Sequence, residues 1–122
     1  MVSIKEIKWI SKEALEAEVV ITDGQFELLC FSHPFNKKIG EQLSEPLYVL
    51  DPDEIVRLKS PSSRTEKLNN AFDYLIEGKL IDKKSGHVKL GNIVIEINSH
   101  FIPGDFKDND NISFICNRLD IY

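Results

Sequence analysis

The chain has 122 residues, 42% of them hydrophobic and 29% charged, and carries a net charge of −5. That is the composition of one globular domain large enough to fold without disulfide or metal staples, and it excludes the disordered class. The acidic balance argues against bulk binding to nucleic acid or anionic membranes. The longest apolar runs, such as Leu28–Phe31 and Leu47–Leu50, fall far short of the roughly 20 residues of a membrane span.

The first 20 residues carry Lys5, Glu6, Lys8, Lys12, Glu13, Glu16 and Glu18. They leave no apolar stretch for a signal peptide, so the expected compartment is the cytoplasm. Val2 and Ile4 shift phase to Ile7 and Trp9, which predicts a bulged strand. Leu15, Ala17, Val19 and Ile21 then alternate with Glu16, Glu18 and Val20. Asp23-Gly24 follows, and after it Phe26, Leu28 and Cys30, which together predict a β-hairpin. Leu29 and Phe31 interleave with Leu28 and Cys30. A strand apolar on both faces is expected to be covered on both sides or to sit in a subunit contact. Cys30 and Cys116 both lie in apolar, strand-like segments and are expected to be reduced and packed as small hydrophobes.

One short helix is expected near residues 52–59. Asp51 fits the N-cap, Pro52 the first helical position and Glu54 the capping-box acid, with Ile55, Val56 and Leu58 on its buried side. Ser60-Pro61-Ser62-Ser63-Arg64-Thr65 is the most loop-like stretch of the chain. Beyond it, Phe72, Tyr74, Ile76 and Leu80 alternate with charged residues, and Ser85-Gly86 marks a reversal. Val88 and Leu90, a break at Gly91-Asn92, and Ile93, Ile95 and Ile97 continue the period of two. The last strand holds Ile112, Phe114 and Cys116, then changes phase to Leu119 and Ile121, which predicts a bulge near Asn117-Arg118.

Many short strands, Gly-rich turns and one helix predict a mainly β fold, a single small antiparallel barrel or sandwich over residues 1–122. Two halves, about 1–51 and 71–122, echo each other. A strand ends in Ser32-His33 with Phe35 soon after, and another ends in Ser99-His100-Phe101. An ancient duplication and the general reuse of Gly-acid turns both account for the echo. The Gly104-Asp105 turn before Ile112–Cys116, with the closing Arg118-Leu119-Asp120-Ile121, resembles small barrel proteins of the OB-fold type. The whole chain resembles small uncharacterised bacterial proteins with the same strand–turn plan. The resemblance implies an OB-like barrel and carries over no functional residue.

Charge is unevenly spread. Residues 1–54 hold 5 basic and 11 acidic side chains, residues 55–91 hold 8 and 4, and residues 92–122 hold 2 and 5. No sequence motif specifies a reaction. Ser32-His33 and Ser99-His100 are adjacent on strands, where side chains point to opposite faces, so neither makes a nucleophile–base pair. Cys30, His33, His100 and Cys116 lack the paired spacing of a zinc site. Asp105, Asp108 and Asp110 lack the glutamate that ends a calcium loop, and a polar turn is the expected reading. No phosphate-binding glycine loop occurs, and no cofactor or metal is expected.

The expected function is a non-catalytic protein-interaction module, with a protein partner or self-association, and with His33, Phe35, His100 and Phe101 as candidate binding residues. One alternative is single-stranded nucleic-acid binding, in which Trp9, Phe31, Phe35, Tyr48, Phe101 and Phe106 stack bases beside the basic stretch 55–91. Another is a small enzyme that uses His33 and His100 in one pocket.

Overall fold

Twelve strands form among residues 1–69 and 71–122, the residues described by the computed structural model. They are β1 (Val2–Ser11), β2 (Glu16–Thr22), β3 (Glu27–Ser32), β4 (Gln42–Leu43), β5 (Leu47–Leu50), β6 (Asp53–Arg57), β7 (Arg64–Lys67), β8 (Tyr74–Asp82), β9 (His87–Leu90), β10 (Ile93–Glu96), β11 (Asn111–Cys116) and β12 (Arg118–Ile121). A single 3-10 turn spans Ser99–Phe101. None of the described helical segments is long and apolar enough to cross a membrane.

The strands make one sheet in the order β4-β1-β2-β3-β12-β5-β10-β9-β8-β11-β6, with β7 beside β8. The fold is therefore mainly β, as the period of two predicts. The expected antiparallel barrel is not what the pairing gives. The path is open, ending at β4 and β6, and it is mixed, because β12 runs parallel to β3 and β10 parallel to β5. The β3–β12 parallel pair arises because the chain, on leaving β11, carries β12 across to a place between β3 and β5. The phase change at Asn117 is the point of departure. There the Asn117 amide donates to the Leu50 carbonyl, and its side chain donates to Asp51.

Sheet residues at alternate positions point to one side, and here that side is a single core. Ala17, Val19, Ile21, Leu28, Cys30, Ile76, Leu80, Val88, Leu90, Ile95, Phe114 and Leu119 are among the residues that are fully buried in it. A sheet of this many strands buries one face only by folding over itself. Tyr74 links the two sides of the fold. Its hydroxyl accepts the Leu29 amide of β3 at 2.9 Å, just before β12 takes over that edge at Phe31. Cys30 and Cys116 lie free and buried in this core. Burial pushes both thiols up, Cys116 to about 12.

The predicted turns at Asp23-Gly24, Ser85-Gly86 and Gly91-Asn92 form. The Asp23 carboxylate accepts the amides of Phe26, Gln25 and Asn92 at 2.7, 2.9 and 2.8 Å, so it ties the β2–β3 turn to the β9–β10 turn. Gly86 has φ +77°, and a Cβ there would lie 1.8 Å from the Ile97 carbonyl oxygen. Only glycine fits that crossing.

The expected helix near residues 52–59 is corrected to a strand. Asp51 has φ +52° and Glu54 φ +50°, and neither suits a right-handed helix. Asp53, Val56 and Arg57 pair with Ile115, Ser113 and Ile112 of β11, and the Leu58 amide donates to the Asn111 carbonyl. Glu54 sits in a bulge of that pairing, next to a register shift between Ser113 and Ile115. A capping box stabilises a helix by about 1 kcal/mol, and a helix this short is marginal. Pairing with the open edge of β11 outweighs it.

Candidate functional site

The register of the pairings brings together what the sequence leaves apart. Directly paired residues project on one face of a sheet. The outward face carries a row across seven strands: Lys8, Glu18, Phe31, Asp120, Tyr48, Glu96 and His87, from β1, β2, β3, β12, β5, β10 and β9. Each is the direct partner of the next. The same pleat that buries Cys30, Leu119 and Ile95 therefore exposes an aromatic and acidic stripe behind them.

Side chains next to the row complete it. Phe72 meets the Phe31 ring edge-to-face at 6.2 Å, and Tyr122 meets Tyr48 edge-to-face at 4.8 Å. Arg118 lies over the Phe31 ring, 4.3 Å from its centroid, and binds Asp120 through both carboxylate oxygens at 2.6 and 3.0 Å. Asp120 is buried beneath this pairing. The Asp120 carboxylate holds the Arg118 guanidinium above its ordinary value, through the hydrogen bond first. The Glu96 carboxylate meets His87 Nε2 at 2.9 Å. Desolvation, with the charges of Glu96 and Glu45, pushes the Tyr48 phenol upward.

Among the described residues, two clefts are lined by Tyr122 together with residues of the row. One, of about 200 Å³, is lined by Phe31, His33, Arg118, Asp120, Ile121 and Tyr122. The other, of about 380 Å³, runs along Tyr48, Glu96, Ser99 and Asn98 to Ser85, over Val49 and Ile97.

The four candidate binding residues are scattered in role. His33 is exposed at the end of β3 and opens onto the smaller cleft. Phe35 is only 1% exposed and packs on Trp9 at 5.9 Å, which makes it core. His100 and Phe101 stand exposed on the 3-10 turn, with the His100 amide held by Asn98 Oδ1. His100 does not line the cleft that His33 enters.

The polar loop 105–110 is committed to the fold. Asp105 pairs with Arg57 at 2.9 Å, Asp108 accepts the Lys83 amide and Asp110 accepts the Lys107 amide, each at 2.8 Å. Among the described residues, no group of three or more His, Cys, Asp or Glu side chains is placed to hold a metal ion. Three of the eight basic side chains in the stretch 55–91 are engaged as well. Arg57 lies over Phe106 at 5.2 Å, Arg64 is within 3.4 Å of Glu77, and Lys83 donates to the Gly104 carbonyl. Lys79 and Lys89 stand directly opposite each other on β8 and β9, exposed.

The residues that sequence reasoning missed here are Phe72, Glu96, Arg118, Asp120 and Tyr122. Phe31 and Tyr48 carry a signal, because both fall out of phase with the buried residues of their strands. The rest depends on β12 lying between β3 and β5, which no local pattern encodes. Comparison with known protein families, with characterised proteins and with solved structures finds no match for this chain.

Proposed function

We propose that the chain is a non-catalytic protein-interaction module of the cytoplasm, and that the outward aromatic–acidic row is its contact surface. The observation that carries this reading is the direct pairing of Phe31, Asp120, Tyr48 and Glu96 across β3, β12, β5 and β10. Interface centres are rich in aromatic and arginine side chains that are rigidly held before binding. Phe31, Tyr48 and Arg118 are half-buried and braced by neighbours in that way. The interleaved carboxylates of Glu18 and Glu96 favour a partner surface that offers cations. The likeness to small OB-type barrels belongs to this reading at the level of strand–turn plan. Single-stranded nucleic acid would use the same aromatics, but the carboxylates between them repel phosphate.

The test places a photo-crosslinking residue at Leu50, which is exposed beside Arg118 on the same face, and a control at exposed Ile39. The expected result is one protein joined at position 50 and not at 39, or a second copy of this chain. With that partner purified, Phe31→Ala should weaken binding by roughly tenfold or more. Equal labelling at both positions, together with a monomer by light scattering, would overturn the reading. Oligonucleotide binding at low salt that Phe31→Ala abolishes would replace it with the nucleic-acid one.

A further inference from the structure

The larger cleft sharpens the kind of partner, and this step rests on the interaction reading above. Tyr48 and Tyr122 meet at 75° and form a corner on one side of the cleft. Glu96 stands in the same cleft, one carboxylate oxygen on His87 and the other without a hydrogen bond among the described residues. Among the described residues, no lysine or arginine lines the cleft. Arg118 is kept with Phe31 by its bidentate bond to Asp120. The cleft is therefore a space with aromatic walls, a carboxylate and no resident cation.

Ring faces are negative, and a cation within about 6 Å of a centroid is attracted to them. A carboxylate beside the rings adds to that attraction and excludes anions. A planar guanidinium stacks on one flat face. A rounded ammonium group touches both walls of a corner, and its methylene stem can pass the half-buried Val49, which also lines the cleft. We propose that this cleft receives the side chain of a lysine presented by the protein partner, with its ammonium group between the Tyr48 and Tyr122 rings and the Glu96 carboxylate.

The experiment is an amide NMR titration of the full chain with N-acetyl-lysine-N-methylamide, its arginine counterpart and its uncharged norleucine counterpart. The expected result is saturable shifts at Tyr48, Glu96, Asn98 and Ser99 with the lysine probe, at millimolar affinity. Norleucine should bind at least about fivefold more weakly, because the cation–π and ionic attraction is lost. Tyr48→Leu should weaken the lysine probe by a similar factor, Glu96→Gln by about threefold, and Tyr48→Phe should leave it within about twofold, since the ring face remains. Circular dichroism checks that each variant is folded. Equal binding of norleucine, or unchanged binding to Tyr48→Leu, overturns the proposal. Arginine binding as tightly as lysine overturns the choice of lysine.

The two readings fail differently. A partner lost on Phe31→Ala but kept by Tyr48→Leu and Glu96→Gln leaves the interaction surface standing and removes the lysine pocket. Lysine binding with no partner at Leu50 does the reverse.

Discussion

Residues 74–97 and residues 51–69 follow opposite rules, although both contribute strands to the same sheet. In the first stretch Tyr74, Ile76, Leu80, Val88, Leu90, Ile93, Ile95 and Ile97 are all buried, and tight glycine turns join the strands. In the second stretch no residue is buried. Where every second side chain enters the core, a one-residue slip would expose a whole face, so the pattern fixes the strand and its register. Where no residue is buried and Ile55 merely packs against the core from outside, only weak local preferences are written in the sequence. The Asp51–Glu54 capping signal was such a preference, and an available sheet edge overruled it.

The largest expected effect lies at a turn of the buried stretch. Gly86→Ala would force a Cβ into the Ile97 carbonyl at a positive φ, whereas Gly104 has nothing within 4 Å of the same position. Gly86→Ala should cost about 4 kcal/mol or more, and Gly104→Ala should stay within about 0.5 kcal/mol of the parent, as read by urea unfolding. Similar losses in both would mean that the Gly86 crossing does not hold the β8–β9 turn.

Asp23 is next. It accepts three backbone amides from two turns. Partial burial raises its carboxyl, but those amides outweigh burial and hold it below its ordinary 3.8. Asp23→Ala should cost about 2 kcal/mol at neutral pH, because it leaves charge-assisted partners unmet. The sign of the pH effect follows from the depressed value. The contribution is complete above about pH 4 and is lost as pH falls through the folded value. The destabilisation caused by Asp23→Ala should therefore shrink in acid, and a constant difference from pH 7 to pH 2 would contradict the assignment.

The buried thiols add nothing at neutral pH, and their effect is confined to alkali. Cys116 is pushed from an ordinary 9.0 up to about 12 by burial. Between these values the unfolded chain loses the proton and the folded chain keeps it, so stability falls as pH rises. The slope is about 1.4 kcal/mol per pH unit for each such thiol. Cys116→Ala should flatten the decline between about pH 9 and 12 by that amount. An unchanged slope would place the thiol in contact with water.

The smallest effect separates the two regions most cleanly. Glu54 holds φ +50° in the β6 bulge. Glu54→Gly should raise stability by about 0.5 kcal/mol, because glycine relieves the left-handed strain at some cost in chain entropy. In a helix over residues 52–59 the same change would lower stability by about 1 kcal/mol. The sign alone decides between the strand and the helix that the local sequence suggests.

Read from the residues, most of the β architecture was legible. The hairpin at Asp23-Gly24, the reversals at Gly86 and Gly91, the bulge after Ile4 and the phase change at Asn117 all stand where the periodicity put them. The candidate site was legible only in part. Phe31 and Tyr48 stood out as aromatics, whereas Phe35, chosen as a binding residue, packs into the core against Trp9.

What the residues alone settle is the inward face of the regularly alternating strands, the places where the chain turns, and the burial of the thiols. These follow from alternation and from glycine's access to positive φ, both of which act over a few residues. Only the tertiary structure decided that β12 lies between β3 and β5, that β6 is a strand, and that Phe31, Asp120, Tyr48 and Glu96 stand side by side. Those outcomes depend on which sheet edges are left open once the core has closed, and an open edge is a property of the whole fold. The aromatic–acidic row is the visible result: a surface assembled from residues as far apart as Phe31 and Asp120, made adjacent by strand order alone.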